Sequence, residues 1–235
     1  MRWRAWSLIA GAELTLLRRS PFTLTMAAAL PTALGVLIIW AENDTARTGW
    51  ASAAGLLLVT LMTFTAYGSG TTLLAARRQQ FVLKRLRHSG ATDLAIVAGI
   101  LVPPTLLTLL QAALLFGLVT AIDGFPPVSA GPLLLATVTG TVAACVLAVA
   151  TAAFTPTPET AQLTTTPIGL AFAGGAFWAI HFPPGELPWY ALSLPGAAIT
   201  ELTRTGSLIA LSALLVLIAV VTPVAVRVFT WDPRR

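Results

Sequence analysis

Six stretches of mostly apolar residues, each about as long as a lipid bilayer is thick, recur along the chain. They cover residues 22–40, 52–76, 93–122, 133–154, 163–180 and 207–229. A helix needs roughly 20 apolar residues to cross the hydrocarbon core of a bilayer. Only 10% of the residues are charged, whereas about 25% is usual in soluble domains. We therefore predict an all-α integral membrane protein in which residues 1–235 form one domain with six transmembrane helices.

Two adjacent prolines, Pro103 and Pro104, fall inside the third apolar stretch. Proline has no backbone N–H, and its ring clashes with the preceding helical turn. We therefore expect a kink or a break in the third span at this point.

The first twenty residues combine tryptophan with arginine. Arg2, Trp3, Arg4 and Trp6 come ahead of the first apolar stretch. Tryptophan favours the headgroup level of a membrane, and its mixture with basic residues is typical of a helix that lies along the membrane surface. We predict such an interfacial helix over residues 1–20, and an uncleaved cytoplasmic tail is the alternative.

Basic residues are distributed unevenly over the segments that connect the spans. If both termini are cytoplasmic, twelve of the fourteen basic residues lie inside, and only Arg47 and Arg204 lie outside. The acidic residues divide almost evenly, with five outside and four inside. Because cytoplasmic loops carry an excess of Lys and Arg, we predict a multi-pass protein of a bacterial plasma membrane with both termini in the cytoplasm.

The densest cluster of charge lies between the second and third spans, in residues 77–93. Five basic residues fall within eleven positions, and Phe81, Val82, Leu83 and Leu86 are interspersed among them. This pattern favours a short amphipathic helix on the cytoplasmic face, where a soluble partner can act on it. The composition alone fits equally well a positive cluster that only sets the membrane topology.

The chain has no phosphate-binding loop of the GxxxxGK[ST] type. It therefore does not bind and hydrolyse ATP by that route. It has a single cysteine, Cys145, and two histidines, which offer neither an internal disulfide nor a metal-ligand cluster. We expect no cofactor, no metal and no catalytic residue in this chain.

Polar side chains within the spans are the candidates for a substrate path. Such residues commonly face protein or a cavity, although Ser and Thr also bond to carbonyls of their own helix. Because no charged residue stands in mid-span, ion-coupled transport is disfavoured, and an apolar or amphipathic substrate is favoured. The candidate path residues are Thr60, Thr63, Tyr67, Gln111, Phe177 and Trp178.

The connection between the fifth and sixth spans, residues 181–206, contains too many prolines for one helix. Its centre is nevertheless apolar, and Trp189 and Tyr190 suit headgroup depth. Irregular backbone at membrane depth has to be buried in protein. We therefore predict a Pro-rich re-entrant external segment of two short helices, and an ordered loop with aromatic anchors is the alternative.

Two motifs resemble those of a known family, the membrane permeases of type-2 ABC exporters, and the resemblance covers essentially the whole chain. The run LKRLRHSGATDLAIVAGIL, residues 83–101, resembles the cytoplasmic coupling helix of that family and the start of its third span. The run GGAFWAIHFPPGELPWYALSLPGAAITELTR, residues 174–204, is similar to the family signature that follows span five. Ahead of the LKRLR core the chain departs from the family: residues 77–80 (RRQQ) replace acidic residues, and Phe81 replaces a small one.

The resemblance implies the permease subunit of an ATP-driven exporter that moves a hydrophobic or amphipathic substrate, such as a drug, antibiotic, peptide or lipid, out of the cell. Efflux and antibiotic resistance are the implied roles. The implied complex has two permeases, identical or sister chains, and two separate ATPase subunits that bind ATP and Mg. Membrane lipids are further expected partners, and nucleic acid is not. The implied ATPase-coupling helix comprises Phe81, Val82, Leu83, Lys84, Arg85, Leu86, Arg87 and His88. The implied external gate comprises Pro183, Pro184, Pro188, Trp189, Tyr190 and Pro195.

Two other classes of function compete with transport. The GSG run at residues 68–70 resembles part of a membrane serine-protease motif, with Tyr67 in place of its first glycine. An intramembrane enzyme would need His88 or His181 within hydrogen-bond reach of Ser69 as the base. A non-transporting membrane anchor or sensor is the second alternative.

Overall fold

The computed structural model describes residues 2–19, 21–44, 49–123, 129–229 and 231, and every regular element within them is a helix. In chain order the α-helices are α1 (Arg2–Arg19), α2 (Pro21–Asp44), α3 (Gly49–Leu61), α4 (Gly70–Gln79), α5 (Val82–His88), α6 (Asp93–Asp123), α7 (Ala130–Phe154), α8 (Ala161–Ile180), α9 (Pro195–Thr205) and α10 (Leu208–Val228). A π-helical segment, Met62–Ser69, joins α3 to α4, and a 3-10 helix, Trp189–Ser193, precedes α9. The prediction of an all-α protein is confirmed.

Five helical segments of the described chain are long and apolar enough to cross a membrane. They are Gly49–Gln79, Asp93–Ala121, Ala130–Phe154, Ala161–Ile180 and Leu208–Val228, and they coincide with the second to sixth predicted spans. α2 contains the first predicted span and is 24 residues long. Its described apolar part, Ala27–Trp40, is shorter than a full span, so the sixth crossing stays a prediction.

The two prolines do not break α6, which continues from Asp93 to Asp123. The expected break is therefore absent. Proline at these two positions removes the N–H groups that would bond to the carbonyls of residues 99 and 100. α1 packs closely on this turn, since a Cβ atom added at Gly99 would lie 2.8 Å from Ile9 Cγ2.

α9 lies inside the bundle and does not cross it. Every residue from 195 to 203 is buried, and α9 packs against α3, α7, α8 and α10. Small residues allow this close approach. A Cβ atom added at Gly175 would lie 2.7 Å from the Ala197 nitrogen, and one added at Gly55 would lie 2.9 Å from the Thr200 Cα. The re-entrant segment is thus part of the main hydrophobic core.

A second apolar cluster lies at the end of the bundle that carries α5. Its members are Ile9, Leu74, Leu83, Ile96, Ile100, Leu101, Ala152, Ala153 and Phe229. They come from α1, α4, α5, α6, α7 and the end of α10. α5 is therefore fixed to the bundle by apolar packing as well as by its two chain connections.

We expect Gly196→Ala to destabilise the fold, because the added Cβ atom would overlap the Phe172 carbonyl. Overpacking of a core costs about 1–3 kcal/mol, so the detergent-purified variant should unfold at a clearly lower temperature. Gly174→Ala is the matched control, since nothing lies within 4 Å of that Cβ position and alanine favours helix over glycine. Equal melting temperatures for the two variants would contradict the close packing of α9 on α8.

Candidate functional site

An elongated groove runs along one side of the helical bundle. It lies between α2, the continuous helix formed by α3 and α4, α6 and α8, and its volume is about 1180 Å³. Most of its lining is apolar, including Leu30, Leu34 and Leu37 of α2 and Phe177 of α8. Small-molecule sites commonly have volumes of about 300–1,000 Å³, so the groove has room for a drug-sized or longer molecule.

Four of the six predicted path residues line the groove: Thr60, Thr63, Tyr67 and Phe177. Trp178 instead contacts the segment that follows α8, with its ring centroid 6.0 Å from that of Tyr190. Phe177 lines the groove, and Trp178 does not.

Gln111 lies behind the groove wall and cross-links three helices. Its amide nitrogen donates to the Ala28 carbonyl and to the Thr32 hydroxyl of α2, both at 3.0 Å. Its side-chain oxygen accepts a hydrogen bond of 2.9 Å from Thr65 of the π-helical segment. Every contact described for this side chain is thus structural.

The π-helical segment forms the middle of one groove wall, and Tyr67 fixes it to two other helices. The Tyr67 hydroxyl lies 3.1 Å from the Thr151 hydroxyl of α7 and donates to the Thr165 carbonyl of α8 at 3.4 Å. Its ring centroid is 5.8 Å from that of Phe172. π-helical turns inside α-helices are frequent at functional sites, and this one places Thr63 and Tyr67 on the groove surface.

Among the described residues, six serine and threonine hydroxyls line the groove, and each donates its proton to a carbonyl of its own helix. They are Thr60, Thr63, Ser69, Thr72, Thr165 and Thr166, with donor–acceptor distances of 2.7–3.1 Å. Bonding to the helix backbone and facing the groove are therefore compatible roles for these residues.

One end of the groove carries polar residues that the sequence analysis did not single out. Glu159, Gln162 and Thr166 lie on one face of α8 and the turn before it. A side-chain hydrogen bond with Thr157 holds the pKa of the Glu159 carboxyl below its usual value. Their spacing of three and four residues is that of one helix face. That spacing is the available signal in the sequence, but residues 155–162 lie between the fourth and fifth predicted spans, where hydropathy does not indicate a groove.

The predicted coupling stretch is a short helix that begins with an unusual backbone conformation. Phe81, just before α5, has a left-handed φ of 58°, which is rare for a bulky residue, and its side chain is 52% exposed. Leu83 is completely buried in the second apolar cluster. Leu86 and Val82 are half-buried, and Lys84 is exposed. Leu83 therefore anchors α5 to the bundle, whereas Phe81, Val82 and Leu86 contribute to its surface.

The basic residues of α5 also contact the protein itself. Arg87 Nε lies 3.2 Å from Asp93 Oδ1, and the Arg87 guanidinium lies 5.1 Å from the centroid of the Trp231 ring. Arg85 donates to a backbone carbonyl within the stretch at 3.3 Å, and His88 Nδ1 lies 2.7 Å from the Lys84 carbonyl oxygen. Arg87 thus links α5 to α6 and to the C-terminal end of the described chain.

The two arginines that depart from the family pattern hold the end of α4 in place. Arg77 Nη2 lies 2.6 Å from Glu13 Oε2 of α1. Arg78 is buried and donates to the carbonyls of Ala152 and Thr155 at the C-terminal end of α7. Cations are favourable at helix C-termini, where carbonyls lack helical partners. Both arginines therefore serve the internal architecture around α5.

A buried ion pair organises the segment between α8 and α10. Arg204 Nη1 lies 3.5 Å from Glu201 Oε2, and both side chains are almost fully buried. The Gly185 N–H donates to Glu201 Oε1 at 2.8 Å, and Arg204 donates to the carbonyls of Ala179 and Phe182, both at 2.7 Å. The pair thereby joins α9 to the end of α8 and to the proline-rich turn.

The predicted gate residues differ in their exposure. Pro183, Pro184, Trp189 and Tyr190 are exposed, Pro188 is half-buried, and Pro195 is buried at the start of α9. At the other end of the chain, the backbone of α1 includes Arg2, Trp3 and Arg4, whose side chains lie outside the described part. Trp6 is exposed on α1.

The described residues show no nucleophile paired with a base. The Ser69 hydroxyl donates to the Phe64 carbonyl at 3.1 Å. His88 and His181 each contact a carbonyl of their own helix. In the described part of the chain, no group of three or more His, Cys, Asp or Glu residues is placed to hold a metal ion.

Comparison with known proteins identifies one family. A family model described as "ABC-2 type transporter" matches residues 3–208. This match includes the groove, α5 and the external segment. No curated protein and no solved structure matches the chain.

We expect Arg204→Gln to destabilise the protein, because it leaves the buried Glu201 carboxylate without its cation. Breaking a buried pair in this way costs about 3–5 kcal/mol, which should lower the melting temperature of the purified protein. Arg85→Gln removes the same charge from an exposed site and should change the melting temperature little. The double variant Glu201→Gln/Arg204→Gln should lose less stability than Arg204→Gln alone. Unchanged melting of Arg204→Gln would refute a structural role for the pair.

Proposed function

The chain belongs to the ABC-2 type transporter family, and we propose that it is the permease subunit of an ATP-driven exporter in a bacterial plasma membrane. The observation that carries this proposal is the groove of about 1180 Å³ along the helical bundle. Its apolar walls suit a hydrophobic or amphipathic substrate such as a drug, antibiotic, peptide or lipid. Both termini are then cytoplasmic, as the distribution of basic residues predicts.

A second permease would complete the path, because one chain leaves the groove open along its side. Leu37, Leu170 and Phe177 line the groove and are exposed. A partner of similar surface would bury these apolar side chains and enclose the substrate between the two chains. We infer that this partner is another copy or a sister permease.

The energy for transport has to come from a separate ATPase, which would bind the ATP and Mg. We assign the contact with this ATPase to α5. Phe81 keeps a conformation that is unfavourable for its residue type, while its ring stays exposed. Strain of this kind is retained mainly where function requires it. The other surface residues of this contact are Val82, Lys84, Arg85, Leu86, Arg87 and His88.

Rigid contacts connect α5 to the groove. Leu83 anchors α5 in the second apolar cluster, and Arg78 fixes the adjacent end of α4 to α7. α4 continues directly into the π-helical segment that lines the groove. We propose that closure of the ATPases moves α5, and that this movement changes the groove from inward- to outward-facing.

A non-transporting anchor or sensor is the second candidate function. Such a subunit needs the ATPase contact but no path through the membrane. The volume and the amphipathic lining of the groove favour transport over this alternative. An intramembrane enzyme has no comparable support, since Ser69 bonds to a backbone carbonyl and pairs with neither histidine.

Reconstitution with an ATPase encoded beside the gene distinguishes the two candidates. We expect that ATPase to co-purify with the chain and to hydrolyse ATP faster when hydrophobic or amphipathic compounds are added to proteoliposomes. Transport of those compounds should require ATP. A stable complex whose ATP turnover responds to no compound, and which moves none, would favour the anchor or sensor.

We expect Phe81→Asn to weaken binding of the ATPase by about tenfold or more, as for the loss of an aromatic anchor at an interface. Its melting temperature should not fall, because asparagine tolerates the left-handed conformation better than phenylalanine. Both properties can be measured on the same purified variant. Phe81→Tyr is the control, since it keeps the ring and should retain binding. Wild-type affinity in Phe81→Asn would argue against this contact.

A further inference from the structure

The hydroxyls that line the groove present hydrogen-bond acceptors to a substrate. A hydroxyl has one hydrogen to donate and two lone pairs that accept. Each of the six groove hydroxyls already donates its hydrogen to a carbonyl of its own helix. Their lone pairs are therefore what remains for a molecule in the groove.

The polar end of the groove also carries a carboxylate. Among the described residues that line the groove, Glu159 is the only charged one. Its hydrogen bond with Thr157 lowers its pKa, so the carboxylate is ionised at neutral pH and only accepts hydrogen bonds. Gln162, less than one helical turn further along, adds an amide. Three polar positions spaced over about two helical turns, Glu159, Thr165 and Thr166, thus favour a hydrogen-bond donor.

The same face of α8 becomes apolar toward its other end. Gly169, Leu170, Ala173 and Phe177 follow the polar residues along the groove. From the first to the last of these the helix rises by about 12 Å, comparable to a medium-length alkyl chain. The leucine-rich wall of α2 runs alongside. The groove is therefore amphipathic along its length.

We propose that the groove selects amphipathic molecules whose polar head is a cation bearing N–H groups, such as a primary or secondary ammonium. The head lies near Glu159 and the hydroxyls of Thr165 and Thr166, and the hydrophobic body lies along Leu170 and Phe177. An ammonium supplies both the hydrogen-bond donors and a positive charge that complements the Glu159 carboxylate. An anionic head would instead face a carboxylate and lone pairs. The inference rests on the proposed function, since it names the substrate class of the same groove.

Binding to the full-length chain in lipid nanodiscs tests this preference without the ATPase. The probes are dansyl-labelled dodecyl chains that end in a primary ammonium, a hydroxyl or a carboxylate, with uptake by empty nanodiscs subtracted. We expect the ammonium probe to bind most tightly and the carboxylate probe most weakly. Added salt should reduce the preference for ammonium over hydroxyl, because it screens an exposed charge.

Variants of the groove identify the residues responsible. Glu159→Gln should weaken binding of the ammonium probe by about two- to fivefold, the range for an exposed ion pair, and should leave the hydroxyl probe unchanged. Glu186→Gln removes the same charge from the external segment, outside the groove, and should have no effect. Thr166→Val, which removes an acceptor but keeps the shape, should also weaken ammonium binding, and Thr166→Ser should retain it.

Three results would overturn the inference: equal affinity for the ammonium and hydroxyl probes, tighter binding of the carboxylate probe, or no binding of the ammonium probe. An ammonium preference that persists in Glu159→Gln and does not depend on salt would overturn it as well. None of these results bears on whether the chain binds an ATPase and stimulates its turnover. Failure of the substrate class is therefore distinguishable from failure of the permease assignment.

Discussion

The constraint on which this fold depends is that backbone polar groups within a membrane need partners inside the protein. Five apolar helices meet it through their own hydrogen bonds, but the segment between α8 and α10 turns back without crossing. Its helix α9 is therefore buried against four others. That burial requires glycine at the closest contacts, such as Gly175 and Gly196. It also brings Glu201 and Arg204 inside, where they bond to the turn and to the end of α8.

At the opposite end of the bundle, charged side chains supply hydrogen-bond partners to backbone polar groups. The regular backbone hydrogen bonds of α7 run out at its end, and Arg78 donates to the carbonyls of Ala152 and Thr155 there. Arg77 pairs with Glu13 and so attaches α1 to α4. These arginines belong to the cluster that predicts the membrane orientation, yet they are committed inside the protein. The side chains from which the orientation is predicted thus also stabilise the packing of α4 against α1 and α7.

Length and hydrophobicity were sufficient to predict the helical fold and five spans, because each crossing is specified by its own residues. The groove was only partly predictable. Thr63 and Tyr67 were found as polar residues in a span, whereas Glu159 belongs to the groove only because its turn folds beside α4. Gln111 was predicted to line the path because it is polar, but its side chain instead forms hydrogen bonds between helices. Pairwise contacts such as Glu201–Arg204 depend on the packing of α9, which hydropathy does not encode.

One continuous run of chain carries two departures from regular helical geometry, one on each side of α4. The π-helical segment borders the groove, and Phe81 adopts a left-handed conformation just before α5. Each departure is less stable than regular helix, so each is a point where the chain can rearrange at modest cost. α4 between them is tied to α1 by Arg77 and to α7 by Arg78. It therefore connects the start of α5 directly to the π-helical segment, where Tyr67 contacts both α7 and α8.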